Sequence, residues 1–141
     1  MKPIKAVIFV IFLFPGWSSA GTFEEYMTIK HLRCSLDKGI QAISGKEISS
    51  ITDSLNLIFD SIDVNYNKAR MIGNIGAFDV RVTATPKGLT FEEVTPSGNI
   101  TSTTVLIEEL FINKFPVVHS RHLFIDGKAM HSQRYGTCWI P

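Results

Sequence analysis

Apolar and polar side chains alternate along much of the chain, and this period-two pattern predicts β-strands. The clearest case is the segment FDVRVTA at 78–84, whose apolar residues would face a core while Asp, Arg and Thr face water. Short segments rich in Pro, Gly, Asn and Asp separate the apolar runs, and they predict tight turns at 86–88, 96–99 and 126–127. The last of these, Asp126-Gly127, is a strong signal for a short hairpin.

About eight strands follow from this pattern, and no linker or helical periodicity divides them. Their predicted ranges are 32–43, 55–64, 68–75, 78–85, 89–95, 100–110, 117–125 and 131–139. A kink at 37–39 and a bulge near Ser61 interrupt the first two strands, and the polar segment 45–54 is predicted to be a loop or a short helix. Short turns between consecutive strands indicate an antiparallel meander. The predicted fold is therefore all-β, either an up-and-down, calycin-like barrel, which removes exposed edges, or a two-sheet sandwich.

The first twenty residues differ from the rest and contain the three parts of a secretory signal peptide in order. Lys2 and Lys5 give a positive start, residues 6–14 are an unbroken apolar run, and small residues precede a cut after Ala20. This apolar run is less than half of the roughly 20 residues that a membrane-spanning helix needs. We therefore expect a single β-rich domain at 21–141, secreted or periplasmic, with no transmembrane anchor after cleavage.

Composition indicates an ordinary globular domain and argues against one class of partner. Loss of Lys2 and Lys5 leaves 12 basic residues against 13 acidic ones, so the mature chain would carry a formal charge of −1. A nucleic-acid-binding domain is expected to carry a clustered basic face. We therefore expect no nucleic acid partner.

The chain has two cysteines, Cys34 and Cys138. Two cysteines in one small exported domain usually pair, because their compartment is oxidising. A bridge would hold the first and last strands side by side, as in a closed meander. The alternatives are two free thiols or a cysteine-based site, although there is no CxxC spacing and no nearby pattern of metal ligands.

The C-terminal hairpin concentrates polar side chains that suit an anion or another polar ligand. His119 and Arg121 share one face of a strand, and residues 131–134 would lie across the hairpin from them. Arginine binds carboxylates and phosphates through a planar fork of donors. The candidate polar or anion site consists of His119, Arg121, His131, Arg134 and Tyr135. The alternative is that these side chains bond only to neighbours on a half-exposed sheet.

No catalytic, metal or cofactor motif survives a check of its spacing, so we expect no enzyme activity and no cofactor. His119 and His122 are three residues apart and would face opposite sides of a strand, which prevents them from chelating one ion. Asp63 begins a segment like a calcium-binding loop, but Lys68 and Asn74 stand where that loop needs a glycine and an acid. No GxSxG elbow supports a serine nucleophile.

The chain from about residue 62 to 138 resembles a family of small exported bacterial proteins of unknown function. The resemblance rests on ARMIGN at 69–74, GLTF at 88–91, GN at 98–99 followed by TTV at 103–105, VHSRH at 118–122 and SQRYGTC at 132–138. The last two segments are the most specific. The resemblance implies a bacterial periplasm and lends no activity, cofactor or catalytic residue.

We therefore predict a non-catalytic binding protein. A small hydrophobic or amphiphilic ligand would occupy the interior or mouth of the barrel, by analogy of fold alone with lipocalin-like barrels. The candidate lining residues are Phe59, Phe78, Phe91, Phe115 and Phe124. The alternative is an interaction protein of the cell envelope, such as a hydrolase inhibitor or an immunity-type protein, that acts through its surface. Room for a ligand inside the fold would distinguish the two.

Overall fold

The computed structural model describes residues 25, 27–107 and 113–141. Its strands are β1 Leu32–Ile43, β2 Ser49–Ile51, β3 Leu55–Asp63, β4 Lys68–Gly73, β5 Gly76–Thr85, β6 Gly88–Val94, β7 Ile100–Leu106, β8 Phe115–Ile125 and β9 Lys128–Trp139. The predicted signal peptide and the predicted end of a strand at 108–110 lie outside the described residues. Within the described ranges, no helix is long and apolar enough to cross a membrane.

The sheet closes on itself into an eight-stranded, antiparallel, up-and-down barrel. Closure occurs because β9 pairs with β1 as well as with β8, while β2 is an extra strand that pairs only with the end of β1. The prediction of an all-β meander is confirmed, and the barrel is the form it takes. The prediction of a loop or short helix at 45–54 was wrong for β2, which buries Ile51 and forms backbone pairs with β1.

Two strand irregularities lie where the sequence predicted them. β3 shifts register around Ser61, which has a positive φ of 51°. β1 shifts register between Leu36 and Lys38 in its pairing with β9. Opposite this second bulge stands Gly136, where a Cβ atom would collide with the backbone oxygen of Ser35. The close approach of β1 and β9 at the bulge therefore requires glycine at this position.

A disulfide joins the first and last barrel strands. Cys34 on β1 and Cys138 on β9 are directly opposite each other in the register, and they are bonded. Both are buried. The predicted pairing is confirmed, and the bond lies on the seam where the barrel closes.

The interior differs between the two ends of the barrel. The lower end, which holds the turns at 64–67 and 86–87, is filled by apolar side chains. Phe59 and Phe91 stack there across the interior with ring centroids 3.9 Å apart, and Phe115 is also buried. The upper end holds the turns at 44–48, 74–75, 95–99 and 126–127, and there the interior is open.

Candidate functional site

A cavity of about 420 Å³ opens at the upper end of the barrel. This volume lies within the roughly 300–1,000 Å³ that is typical of small-molecule sites. Residues from β3 to β9 line it, so it is part of the barrel interior and not a groove on the outer wall. The strands on the two sides of the cavity carry side chains of different chemistry.

One wall of the cavity is apolar. Leu55 and Leu57 on β3, Met71 on β4 and Phe78 on β5 form it. Ile75, in the turn between β4 and β5, lines the mouth and is 84% exposed. The apolar wall therefore extends to the mouth of the cavity.

The opposite wall is polar and comes from β6 to β9. Its cavity-lining residues include Glu93, Thr101, His119, Arg121 and Arg134. The register explains why they meet, because His119 pairs with Arg134 and Arg121 is its same-face neighbour on β8. Thr101 pairs with both Glu93 and Arg121, and therefore separates these two opposite charges.

His119 is buried in this wall, with 3% of its surface exposed. Its Nδ1 shares a hydrogen bond of 2.8 Å with the hydroxyl of Thr103 on β7. Burial, followed by the positive charges of Arg121 and Arg134, lowers the pKa of His119 from 6.5 to about 4. The imidazole is therefore neutral at neutral pH. Thr103 is fully buried and does not line the cavity, so its hydroxyl orients the imidazole and does not meet a ligand.

The two arginines of the polar wall differ in their partners. Arg134 donates to the backbone oxygen of Asp53 at 2.7 Å and to its carboxylate at 2.9 Å. The hydrogen bond from Arg134 to the carboxylate lowers the pKa of Asp53 below its ordinary value of 3.8. Arg121 is half-buried, and in the described part of the chain its guanidinium has no hydrogen bond or ion pair. Arg121 therefore supplies the free positive charge of the cavity.

The structure brings together three of the five residues of the candidate polar site. His119, Arg121 and Arg134 line the cavity. His131 and Tyr135 lie on the outer wall, because side chains on β9 alternate and Arg134 occupies the inward position. There His131 meets the ring of His122 edge-on at 5.3 Å.

The predicted lining residues are also divided. Phe78 lines the cavity, whereas Phe59, Phe91 and Phe115 are buried in the filled lower core. Phe124 is not a lining residue, since it is 67% exposed on the outer wall. Its neighbour Leu123 takes the inward position and lines the cavity, because it continues the inward series of His119 and Arg121 on β8.

Sequence reasoning missed several residues of the site, among them the apolar wall on β3 and β4 and the polar residues Asp53, Glu93, Thr101 and Thr103. Glu93 continues the inward alternation of Leu89 and Phe91, which is a signal that the sequence contains. Thr101 and Thr103 likewise alternate on β7. Asp53 carries no such signal, because it reaches Arg134 from a loop 81 residues away in the chain.

The side chains that line the cavity define what it can bind. His119 faces the interior and His122 the outside, as their spacing predicted. In the ranges that the structure covers, no group of three or more His, Cys, Asp or Glu side chains could hold a metal ion. The titratable groups that line the cavity are the neutral imidazole, the unpaired guanidinium of Arg121, the guanidinium of Arg134 paired with Asp53, and the carboxylate of Glu93. These groups can hold a charged or polar head group.

No protein-family model matches the chain, and comparisons with curated proteins and with solved structures give no significant match. The family resemblance in the sequence therefore stays a resemblance.

Proposed function

We propose that this protein is exported and binds one small amphiphilic molecule in the mouth of its barrel, without catalysing a reaction. The observation that carries the proposal is the cavity of about 420 Å³ with one apolar and one charged wall. An apolar ligand body against the Leu55, Leu57, Met71 and Phe78 wall would contribute about 0.8 kcal/mol per buried CH₂ group. A polar head on the other wall would fix the ligand's orientation.

Export is supported by two features of the chain. The N-terminal sequence has the order of a secretory signal peptide. The Cys34–Cys138 disulfide is of the kind that persists in oxidising compartments. Together they support a ligand that the protein meets outside the cytoplasm, in the periplasm or the medium.

Filling the cavity is expected to abolish binding. Thr101→Trp would put an indole into the opening, since Thr101 lines the cavity between β6 and β8. With the uncharged probe N-phenyl-1-naphthylamine, whose fluorescence rises in apolar surroundings, we expect saturable binding of one probe per wild-type chain. The variant should bind at least about tenfold more weakly, because a few lost CH₂ contacts suffice for that factor.

Ser102→Trp is the matched control for this experiment. Ser102 is the next residue on β7 and faces outward, so the same indole would leave the cavity open. Circular dichroism and thermal melting would establish that both variants are folded. Equal probe binding by the two variants would contradict the proposal, and so would a wild-type protein that binds no probe.

The second candidate, an envelope interaction protein, is favoured by an apolar patch on the outer wall. Val94 and Ile100 are direct cross-strand neighbours, and Phe124 lies close to them on β8, with its backbone N–H bonded to the Asn99 side chain. All three of these apolar side chains are exposed. Exposed apolar patches mark interaction surfaces in many proteins. A protein that acts only through this patch would not need an open interior, so the probe experiment separates the two candidates.

A further inference from the structure

Arg121 is unusual among the five arginines of the described chain. Arg33, Arg70 and Arg81 are exposed, and Arg70 is paired with Asp60. Arg134 is held by Asp53. Arg121 alone is both half-buried and without a hydrogen-bond or ion-pair partner in the described residues. A partly desolvated guanidinium is stabilised by an anion, which can accept two parallel hydrogen bonds from it.

The nearest acidic groups do not occupy this position. Glu93 lines the same cavity but lies on β6, two strands away from Arg121, with Thr101 on the strand between them. Two strand spacings are roughly 9.6 Å, and no ion pair joins the two side chains in the described structure. Asp53 is engaged by Arg134. An incoming anion can therefore reach Arg121 without displacing a carboxylate of the protein.

His119 lies between the two guanidiniums and faces charged groups from several strands. Arg121 is its neighbour on β8, Arg134 is opposite it on β9, and Thr103 holds its Nδ1 from β7. Glu93 from β6 and Asp53 from the β2–β3 loop line the same cavity. Nε2 of His119 has no hydrogen-bond partner in the described residues, whereas no fully buried side-chain nitrogen or oxygen there lacks one. Nε2 is therefore not fully buried, and His119 lines the cavity.

We propose that the ligand of this cavity has an anionic head group that binds Arg121, and that its binding is coupled to uptake of a proton by His119. This inference rests on the proposed function and names the ligand class within it. Burial, and after it the positive charges of Arg121 and Arg134, keep the His119 imidazole neutral. A bound anion offsets these two positive charges and itself attracts a proton to the imidazole. Protonated His119 then donates a second hydrogen bond, from Nε2, to the same anion.

Two probes with the same apolar body test this coupling. 8-Anilinonaphthalene-1-sulfonate carries a sulfonate, N-phenyl-1-naphthylamine lacks it, and neither changes charge between pH 5 and 8. We expect the sulfonate probe to bind about thirtyfold more tightly at pH 5 than at pH 8, if binding returns the pKa of the imidazole from about 4 to near its ordinary value of 6.5. The uncharged probe should change by less than about twofold, because it offers no charge to the imidazole.

Isothermal titration calorimetry measures directly how many protons the protein takes up when the probe binds. Titration of the sulfonate probe at pH 5.5, in two buffers of different ionisation enthalpy, should show uptake of between about 0.5 and 1 proton per probe. His119→Asn should remove this uptake, whereas His31→Asn, at an exposed histidine outside the cavity, should retain it. Arg121→Met should weaken the sulfonate probe about tenfold relative to the uncharged probe, and Arg81→Met on the outer wall of β5 should not.

The outcomes separate this inference from the function on which it rests. If neither probe binds the wild-type protein, the proposed function fails. If both probes bind with the same pH dependence, or if the sulfonate probe binds without proton uptake, the coupling is wrong while the cavity remains a binding site. Near-ultraviolet circular dichroism at pH 5 would show that the barrel is native under the acidic condition.

Discussion

Removal of the Cys34–Cys138 disulfide is expected to lower the free energy of unfolding by about 4–5 kcal/mol in the chain-entropy model. The bond joins residues 104 apart in sequence, so it strongly restricts the unfolded chain. The folded barrel would keep its closure, because β1 and β9 also pair through backbone hydrogen bonds along most of their length. The comparison is urea unfolding of the wild type and of the Cys34→Ala/Cys138→Ala variant at pH 7.5.

Reduction gives an independent check of the same effect. Dithiothreitol should shift the unfolding midpoint of the wild type toward that of the double variant and leave the variant unchanged. Both sulfurs are buried, so reduction of the native protein should be slow and should require opening of the barrel. A double variant within about 1 kcal/mol of the wild type would mean that the bond does not restrict the unfolded chain as this model requires.

Acidification from pH 7.5 to pH 4.5 is expected to cost the fold about 2–3 kcal/mol through His119 alone. The pKa of His119 is about 4 in the folded protein, against an ordinary value of 6.5. Between these values the unfolded chain takes up a proton that the folded chain does not, so stability falls as the pH drops from about 6.5 to about 4. Below this range the group makes no further difference. Urea unfolding at several pH values measures the slope.

The variant His119→Asn should lose this part of the slope, because asparagine does not titrate and can still bond to Thr103 through its amide. His31→Asn should retain the slope, since His31 is exposed. Asp53 and Asp60 have pKa values below their ordinary value of 3.8. Their stabilising effect is therefore lost only when the pH falls below about 3.8, outside the range in which His119 acts. Equal slopes for the wild type and His119→Asn would show that folding does not lower the pKa of His119.

The effects expected for the disulfide and for His119 show that the two ends of the barrel contribute differently to stability. The lower end provides stability through the buried apolar core and the disulfide. The upper end keeps a buried neutral imidazole and an unpaired guanidinium, which are costly in an apolar interior. Groups that weaken the fold and line an opening are typical of binding sites. The groups that destabilise the barrel therefore lie at the proposed ligand site.

The fold was largely predictable from local patterns in the sequence. The alternation at 78–84, the Asp126-Gly127 turn and the position of the two cysteines each follow from short-range rules, and the structure has the corresponding strand, hairpin and bond. β2 was not predictable in this way. It is three residues long in a polar segment, and its pairing with β1 comes from the surrounding fold rather than from periodicity.

The candidate site was predictable only in part. The shared face of His119 and Arg121 follows from their spacing, and Arg134 meets them because the hairpin register pairs it with His119. The same spacing rule places Leu123 inside and Phe124 outside, so the choice of Phe124 followed residue type and neglected alternation. The sequence does not show which end of the barrel is filled, because that depends on how side chains from all eight strands meet in the interior.

Native mass spectrometry of the protein expressed in an oxidising compartment measures directly whether the barrel holds an amphiphilic molecule. The wild type and Thr101→Trp would be measured with an equimolar mixture of decanoate, decanol and decylamine, and then under denaturing conditions. We expect one bound molecule per wild-type chain, with decanoate favoured. It should be lost on denaturation and be absent or strongly reduced in the variant. A wild-type barrel that carries no small molecule and takes up none from the mixture would contradict the proposed function.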